Sequence, residues 1–194
     1  MKKYLINLDR RTDRLEAVMP QFEALGWEVE RFSAYDTDKG WVGCTLSHID
    51  VILMGYSHET FMVLEDDVVL DPTTNLVLED AMSQLPEDWD MLYLGCSPKE
   101  PQVRYSDNLF KLNNAHVTHA IIWNGRPDGA FEYVLDHADE IEKIDDYFAT
   151  VIQPRFNCFV TYPMVALQNE NMGSDIAKFS DVSQIWKSYK LYCK

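Results

Sequence analysis

The chain has 194 residues, of which 46% are apolar, and its formal net charge is −15. This length and apolar content suffice for the core of one compact α/β domain spanning residues 1–194. The excess of 32 acidic over 17 basic side chains disfavours nucleic acid as a partner. No apolar run approaches the roughly 20 residues that cross a bilayer, so the chain is not expected to span a membrane.

The first residues, MKKYLINLDRR, contain too few apolar side chains for a signal peptide and predict a first strand. Basic side chains crowd this end of an otherwise acidic protein, which favours an anionic ligand there. The cysteines are far apart and show no C-x-x-C pair and no Cys/His ligand pattern: Cys44, Cys96, Cys158 and Cys193. They are therefore expected to be reduced thiols of a cytoplasmic protein rather than a zinc site.

Strands are predicted to alternate with helices along the whole chain. In order, the segments predicted are strand KYLINL, helix TDRLEAVMPQFEALG, strand WEVERFSAY, loop DTDKGWVG, helix CTLSHIDVILMGY and strand FMVL. A helix over Asn75–Leu85 follows, then strands WDMLYLG and HVTHAIIW, helices in GRPDGAFEYVLDHADEI and IDDYFATVI, a strand region FNCFVTYPMVALQ and a peripheral helix within 177–194. This alternation favours one mixed, mostly parallel sheet flanked by helices, with ligands at the carboxyl ends of the strands.

Three consecutive acids, Glu65, Asp66 and Asp67, directly follow the apolar strand FMVL. In extended backbone, Glu65 and Asp67 point to one face and Asp66 to the other. Two carboxylates on one face repel each other unless a cation lies between them, and Mn²⁺ or Mg²⁺ prefers such oxygen ligands. The triplet therefore predicts a metal site that can clamp a diphosphate.

The residues of the triplet alone also allow three roles without a diphosphate clamp. The acids can be a solvated turn at a helix N-terminus. They can include a phosphoacceptor aspartate, as in receiver domains, although no lysine is evident at a later strand end. The third role, that of a phosphatase of the haloacid dehalogenase type, is disfavoured, because such an enzyme needs a nucleophilic aspartate at the position that Glu65 occupies.

Six stretches, taken in chain order, resemble glycosyltransferase family 25, the lipooligosaccharide and procollagen galactosyltransferase family. They are YLINLDRRTDRLE, RFSAYD, GWVGCTLSH, MVLEDDVVL, WDMLYLG and IDDYF, the last followed by PMVALQ and SDI. Together they run from Lys3 to Ile176. Trp41 stands where the family pattern G-E-x-G-C has a glutamate.

The resemblance implies a GT-A-like fold and an inverting, metal-dependent transfer of a hexose. The donor implied is a UDP-sugar, with galactose or glucose, and the acceptor is a hydroxyl of a glycan or protein, as in lipopolysaccharide biosynthesis. The metal ligands implied for Mn²⁺ (or Mg²⁺) are Glu65, Asp67 and Asp175. The donor-binding residues implied are Asn7, Leu8, Arg10, Arg14, Asp36, Ser47, His48, Asp66 and Gln168.

An inverting transfer needs a general base that deprotonates the attacking hydroxyl. Asp145 and Asp146 are the candidates, with Asp146 expected as the base and Asp145 as a helix cap or sugar ligand. A different class of function is a non-catalytic nucleotide-sugar or glycan-binding module with the same fold. The presence of Asp146 together with all the metal-ligand candidates favours the enzyme.

Overall fold

The computed structural model describes residues 1–169, 172, 173 and 175, so the peripheral helix predicted within 177–194 lies outside the described residues. The α-helices are α1 (Thr12–Ala24), α2 (Gly40–Met54), α3 (Thr74–Gln84), α4 (Ala130–Asp136) and α5 (Ile144–Tyr147), with short 3₁₀ turns at Gly55–Ser57 and Ala138–Glu140 and a π-helical turn at Phe148–Ile152. The strands are β1 (Lys2–Asn7), β2 (Glu30–Ser33), β3 (Thr60–Glu65), β4 (Val68–Leu70), β5 (Met91–Tyr93), β6 (Ser97–Pro98), β7 (Val103–Arg104), β8 (Leu109–Lys111), β9 (Ala115–His116), β10 (Ala120–Asn124), β11 (Cys158–Thr161) and β12 (Ala166–Gln168).

Within the described part of the chain, eight strands form one mixed sheet in the order β2-β1-β3-β10-β5-β11-β8-β7. β1 pairs in parallel with β2 and β3, and β5 with β11, whereas β10 and β8 run opposite to the other six strands. The predicted mixed, mostly parallel sheet flanked by helices is confirmed. Two-stranded ribbons of β4 with β12 and of β6 with β9 lie beside it.

The central strands are buried on both faces, which explains their continuous apolar sequence. On β3, Phe61 and Val63 face one core cluster, while Met62 and Leu64 face the other. The first cluster is covered by α2 and α4, and the second by α1 and α3. This two-sided burial fixes the register of β3 and so the point at which its acidic carboxyl end leaves the sheet.

Two sequence predictions about local structure are wrong. The segment GWVG, predicted as loop, is the first turn of α2, where a Cβ on Gly43 would lie 2.2 Å from the carbonyl oxygen of Tyr35. Glycine here therefore serves close packing of the helix against the preceding chain rather than a flexible loop. The predicted strand HVTHAIIW is a continuous sheet strand only from Ala120, because Val117 adopts a φ of +71°, which no strand residue has.

None of the helices in the described ranges combines the length and the apolar character that crossing a bilayer requires. Strands β4 and β6 to β9 were not predicted. Each has only two or three residues, which is too short to show a period-two pattern.

Candidate functional site

A cavity of about 280 Å³ opens where β1 and β3 end and α2 begins. This is the edge at which open α/β sheets bind ligands. Its lining includes all the predicted donor and metal residues except Asn7: Leu8, Arg10, Arg14, Asp36, Ser47, His48, Glu65, Asp66, Asp67, Gln168 and Asp175. Asn7 lies buried at the end of β1, where its side-chain amide donates to Asp66 Oδ2 at 2.7 Å.

The acidic triplet does not alternate between two faces of the sheet as the sequence predicted. β3 ends at Glu65, and the chain turns through Asp66 and Asp67 before β4. The turn breaks the strand geometry on which the prediction rested, and all three side chains line the same cavity. Three carboxylates are therefore concentrated at one end of β3.

Glu65 is held in place by side chains of two other segments. Its Oε1 accepts a hydrogen bond from Thr118 Oγ1 at 2.6 Å and lies 3.0 Å from His48 Nε2. Burial alone would raise the pKa of Glu65, but the contacts with His48 and Thr118 outweigh it and lower the pKa to about 2. Glu65 is thus a fixed negative charge on the cavity wall.

Asp66 forms a buried ion pair with Arg14 of α1. Arg14 Nη1 lies 2.7 Å from Asp66 Oδ1, and both side chains are only 7% exposed. Burial keeps the pKa of Asp66 above its ordinary value, against the opposing effects of Arg14 and the Asn7 amide. The pair fastens α1 to the end of β3, so Arg14 is committed to positioning the triplet.

Asp67 is the acid whose requirements are least satisfied. Its Oδ2 lies 3.4 Å from Arg14 Nη1, while Oδ1 is buried without a hydrogen-bond partner among the described residues. Burial, with the nearby charge of Glu65, raises the pKa of Asp67 to about 7. A buried carboxylate oxygen with no partner is costly and invites a cation.

Asp175, the third predicted metal ligand, lines the same cavity and is bound there by arginine side chains. Arg10 Nη1 lies 2.8 Å from its Oδ1, Arg14 Nη2 lies 3.7 Å from its Oδ2, and Arg11 also pairs with it. Burial would raise the pKa of Asp175, but these three guanidinium groups lower it overall. Three guanidinium groups therefore converge on the Asp175 carboxylate.

Asp145 and Asp146, the predicted base candidates, lie outside the cavity lining, beside His116. His116 Nδ1 is 3.6 Å from Asp145 Oδ2 and 3.5 Å from Asp146 Oδ1. The predicted capping role of Asp145 is wrong in detail: α5 begins after Lys143, and Asp145 Oδ1 instead accepts from the backbone amide of Val117 at 2.6 Å.

The segment from His116 to Thr118 joins the two groups of acids, and the sequence prediction missed this role. The backbone amide of Val117 donates to Asp145, and the hydroxyl of Thr118 donates to Glu65. Two consecutive residues therefore fix the positions of these two carboxylates relative to each other. The positive φ of Val117 is unusual for a β-branched residue, and such strain is concentrated at functional sites. Polar residues interrupting the predicted strand HVTHAIIW were the available signal.

Comparison with known proteins identifies relatives over part of the chain. No protein-family model matches it. A protein of Acanthamoeba polyphaga mimivirus named as a glycosyltransferase is 26% identical over 162 residues, which are 71% of this chain and 50% of that protein. A glycosyltransferase 25 family member of Anopheles gambiae is 30% identical over 126 residues, 47% of this chain and 21% of that protein. One of Drosophila melanogaster is 27% identical over 151 residues, 59% and 25% of the respective chains.

The chain is thus similar to members of glycosyltransferase family 25, in agreement with the resemblance found in the sequence. It spans half or less of the length of the curated relatives named above. The crystal structure of a glycosyltransferase involved in the glycosylation of the major capsid of PBCV-1 superposes with a TM-score of 0.57 at 11% identity, covering 97% of this chain and 98% of that one. At this identity the likeness concerns the fold alone, and it confirms the predicted GT-A-like fold.

The segment GWVGCTLSH, which resembles the family 25 signature, forms the first turns of α2 beside the cavity. Trp41, which replaces the glutamate of the family pattern, is half-buried there, with Lys39 Nζ 5.6 Å from the centre of its ring. Ser47 donates to the Gly43 carbonyl at 2.6 Å and accepts from the Tyr35 amide at 3.0 Å. Ser47 thus holds α2 against the preceding chain, whereas Trp41 is not part of the cavity lining.

Proposed function

We propose that this protein is a metal-dependent inverting glycosyltransferase that moves a hexose from a UDP-sugar to a hydroxyl of a glycan or protein acceptor. The observation that carries the proposal is the buried Oδ1 of Asp67, which has no hydrogen-bond partner within the described part of the chain. It lies beside Glu65 in a cavity that also contains arginine side chains. An acidic pair and a guanidinium group in one cavity suit a ligand that brings both a cation and an anion.

The residues at the end of β3 fit a hard divalent cation. Asp67 offers a buried carboxylate oxygen that nothing among the described residues satisfies, and Glu65 is held ionised at the same cavity. Mn²⁺ or Mg²⁺ prefers such oxygen ligands. Asp67 and Glu65 would hold the ion, which when bound neutralises charge on a diphosphate leaving group. Asp175 would reach the ion only after leaving its arginine partners.

Arg10 is the proposed phosphate ligand. Its side chain is half-exposed at the cavity and contacts Asp36 at 2.9 Å as well as Asp175. Phosphate oxygens accept the same forked hydrogen bonds from guanidinium as carboxylates do. A donor diphosphate can therefore replace Asp175 or Asp36 on Arg10. Arg14 cannot be freed in the same way without leaving Asp66 buried and unpaired.

Asp146 is the proposed general base, as the sequence suggested. Its side chain is 57% exposed and can meet an acceptor, whereas Asp145 is bound to the Val117 amide. In the proposed reaction Asp146 takes the proton of the acceptor hydroxyl. The hydroxyl oxygen forms a bond to the anomeric carbon of the sugar while the bond between that carbon and the diphosphate oxygen breaks. His116 and Lys143 lie 3.5 and 3.9 Å from the Asp146 carboxylate.

The finer parts of the proposal rest on the family. UDP as the nucleotide, galactose or glucose as the sugar, a role in lipopolysaccharide biosynthesis and a cytoplasmic location follow from the family resemblance and from the expected reduced cysteines. The free thiols of Cys44 and Cys158 fit that location.

A panel of UDP-sugars tests the proposed function directly. Donor hydrolysis and transfer to saccharide acceptors are measured with Mn²⁺, with Mg²⁺ and with a chelator, for the wild type, Asp67→Asn and the control Asp107→Asn. Asp107 is an exposed acid outside the cavity lining. We expect turnover that needs the metal, is lost in Asp67→Asn and is retained in Asp107→Asn. Metal-independent turnover contradicts the metal role, while UDP binding without any turnover supports the binding-module alternative.

A further inference from the structure

We propose that Cys44, His48 and Glu65 form a binding site for a thiophilic divalent cation, for which Zn²⁺ is the probe. Cys44 and His48 lie one turn apart on α2, and Glu65 lies at the end of β3. Residues at i and i+4 of a helix project from the same face, so the thiol and the imidazole face the carboxylate together. The site goes beyond the sugar-transfer reaction, because its occupancy requires neither nucleotide nor acceptor.

The distances between the three side chains suit ligands of a common metal ion. One ligand atom from each lies within 4.8 Å of the other two, and His48 Nε2 is 3.0 Å from Glu65 Oε1. Among the described residues, this is the group of three metal-ligating side chains that meets such a limit. A sulfur, a nitrogen and an oxygen ligand with a fourth position open to a cavity is a combination that Zn²⁺ accepts.

The second ring nitrogen of His48, which does not face Glu65, is also unsatisfied by any of the described residues. Nδ1 of His48 is buried and has no hydrogen-bond partner among the described residues, although the side chain is only 1% exposed. If Nε2 of His48 binds the metal, the ring proton lies on Nδ1. Because all three side chains line the cavity, an ion also has a route to them.

Carboxylates near Cys44 provide a negative environment for a doubly charged cation. Burial, followed by the charges of Glu65, Asp145 and Asp67, raises the pKa of Cys44 well above its ordinary value. The same three carboxylates that oppose a thiolate alone attract a dication, and a bound dication stabilises the thiolate. Metal binding is thus expected to release the thiol proton.

Glu65 is shared between this site and the hard-cation site proposed at Asp67. The softer ligands, Cys44 and His48, select Zn²⁺ or a similar ion, whereas the oxygens of Asp67 suit Mn²⁺ or Mg²⁺. The expectation from sequence that the cysteines form no zinc site overlooked the Cys44-x-x-x-His48 spacing. That spacing acquires a third ligand only when β3 brings Glu65 beside α2.

Cobalt substitution tests the site on the full, reduced chain without nucleotide. Co²⁺ is titrated into the wild type, Cys44→Ala and the control Cys158→Ala, and the thiolate-to-cobalt charge-transfer absorption is recorded. Cys158 is a free thiol buried in β11, away from the cavity, so the two variants remove matched groups. We expect the absorption in the wild type and Cys158→Ala and its loss in Cys44→Ala, with Zn²⁺ affinity falling at least about tenfold.

Two results would overturn the zinc proposal. One is the absence of a thiolate–cobalt band in the wild type, and the other is a band that persists unchanged in Cys44→Ala. If Cys44→Ala fails to fold, the wild type still decides the question through alkylation of Cys44 by iodoacetamide, followed by peptide mass spectrometry. Zn²⁺ should slow that alkylation at least about tenfold, since a metal-bound thiolate is blocked. An unchanged rate at saturating Zn²⁺ rejects the site, whatever the donor assays show.

Discussion

Replacing Asp67 with asparagine should stabilise the metal-free protein at alkaline pH. The substitution keeps the shape of the side chain and removes a buried charge that faces Glu65. The pKa of Asp67 is raised from 3.8 to about 7 in the folded state. One pKa unit corresponds to about 1.4 kcal/mol, so ionising Asp67 costs the fold at most about 4 kcal/mol at pH 8. We expect Asp67→Asn to recover about 2–4 kcal/mol of the free energy of unfolding there.

The stability advantage of Asp67→Asn over the wild type is expected to depend on pH. Between pH 3.8 and about 7 the folded protein retains a proton on Asp67 that the unfolded chain has lost. The wild type therefore loses stability as pH rises through this window, by up to about 1.4 kcal/mol per pH unit from this group. The advantage of Asp67→Asn should be greatest at pH 8 and vanish below about pH 3, where both states carry the proton.

Urea unfolding of the wild type, Asp67→Asn and Asp107→Asn, in chelator at several pH values, measures the difference. Adding Mn²⁺ should then remove most of this advantage, because a ligand at 100 times its Kd stabilises the wild type by about 2.7 kcal/mol. Asp67→Asn should gain little from Mn²⁺. An Asp67→Asn protein that is less stable at pH 8, or a gain that does not change between pH 4 and pH 8, would refute this reasoning.

Three further predictions concern other parts of the site. Arg14→Met leaves Asp66 buried and unpaired and should lower the free energy of unfolding by about 3–5 kcal/mol, as measured by urea titration; a loss below about 1 kcal/mol would contradict the buried pair. Asp146→Asn should lower kcat about 10²–10⁴-fold with UDP affinity unchanged, whereas equal kcat values would exclude Asp146 as the base. Gly43→Ala places a Cβ 2.2 Å from the Tyr35 carbonyl oxygen and should therefore lower the free energy of unfolding by about 1–3 kcal/mol, as measured by thermal unfolding. An unchanged melting temperature would contradict this close packing.

The order of the principal strands and helices could be predicted because these elements carry strong local patterns. β3 and its acidic end were predictable for the same reason: a buried apolar run followed by Glu65 and Asp67 is compatible with few local structures. The start of α2 was not predictable from composition, because Gly40 and Gly43 indicate a loop until the close approach of Tyr35 is known.

The partners of the site residues could not be predicted because they come from distant parts of the chain. Thr118 binds Glu65 across 53 positions, and Arg10 contacts Asp175, which lies near the other end of the described chain. Neither contact leaves a periodic or compositional trace in one sequence. Arg14 was expected to meet the donor, and only the packing of α1 against the end of β3 shows that it is held by Asp66.

Calorimetry of UDP binding to the wild type and to Asp67→Asn, with and without Mn²⁺, shows whether the acids at the end of β3 hold a cation that in turn holds the diphosphate. We expect Mn²⁺ to strengthen UDP binding at least about tenfold in the wild type and in Asp107→Asn, an effect worth about 1.4 kcal/mol, and not to strengthen it in Asp67→Asn. Equal UDP affinity with Mn²⁺ and with chelator in the wild type would contradict this expectation.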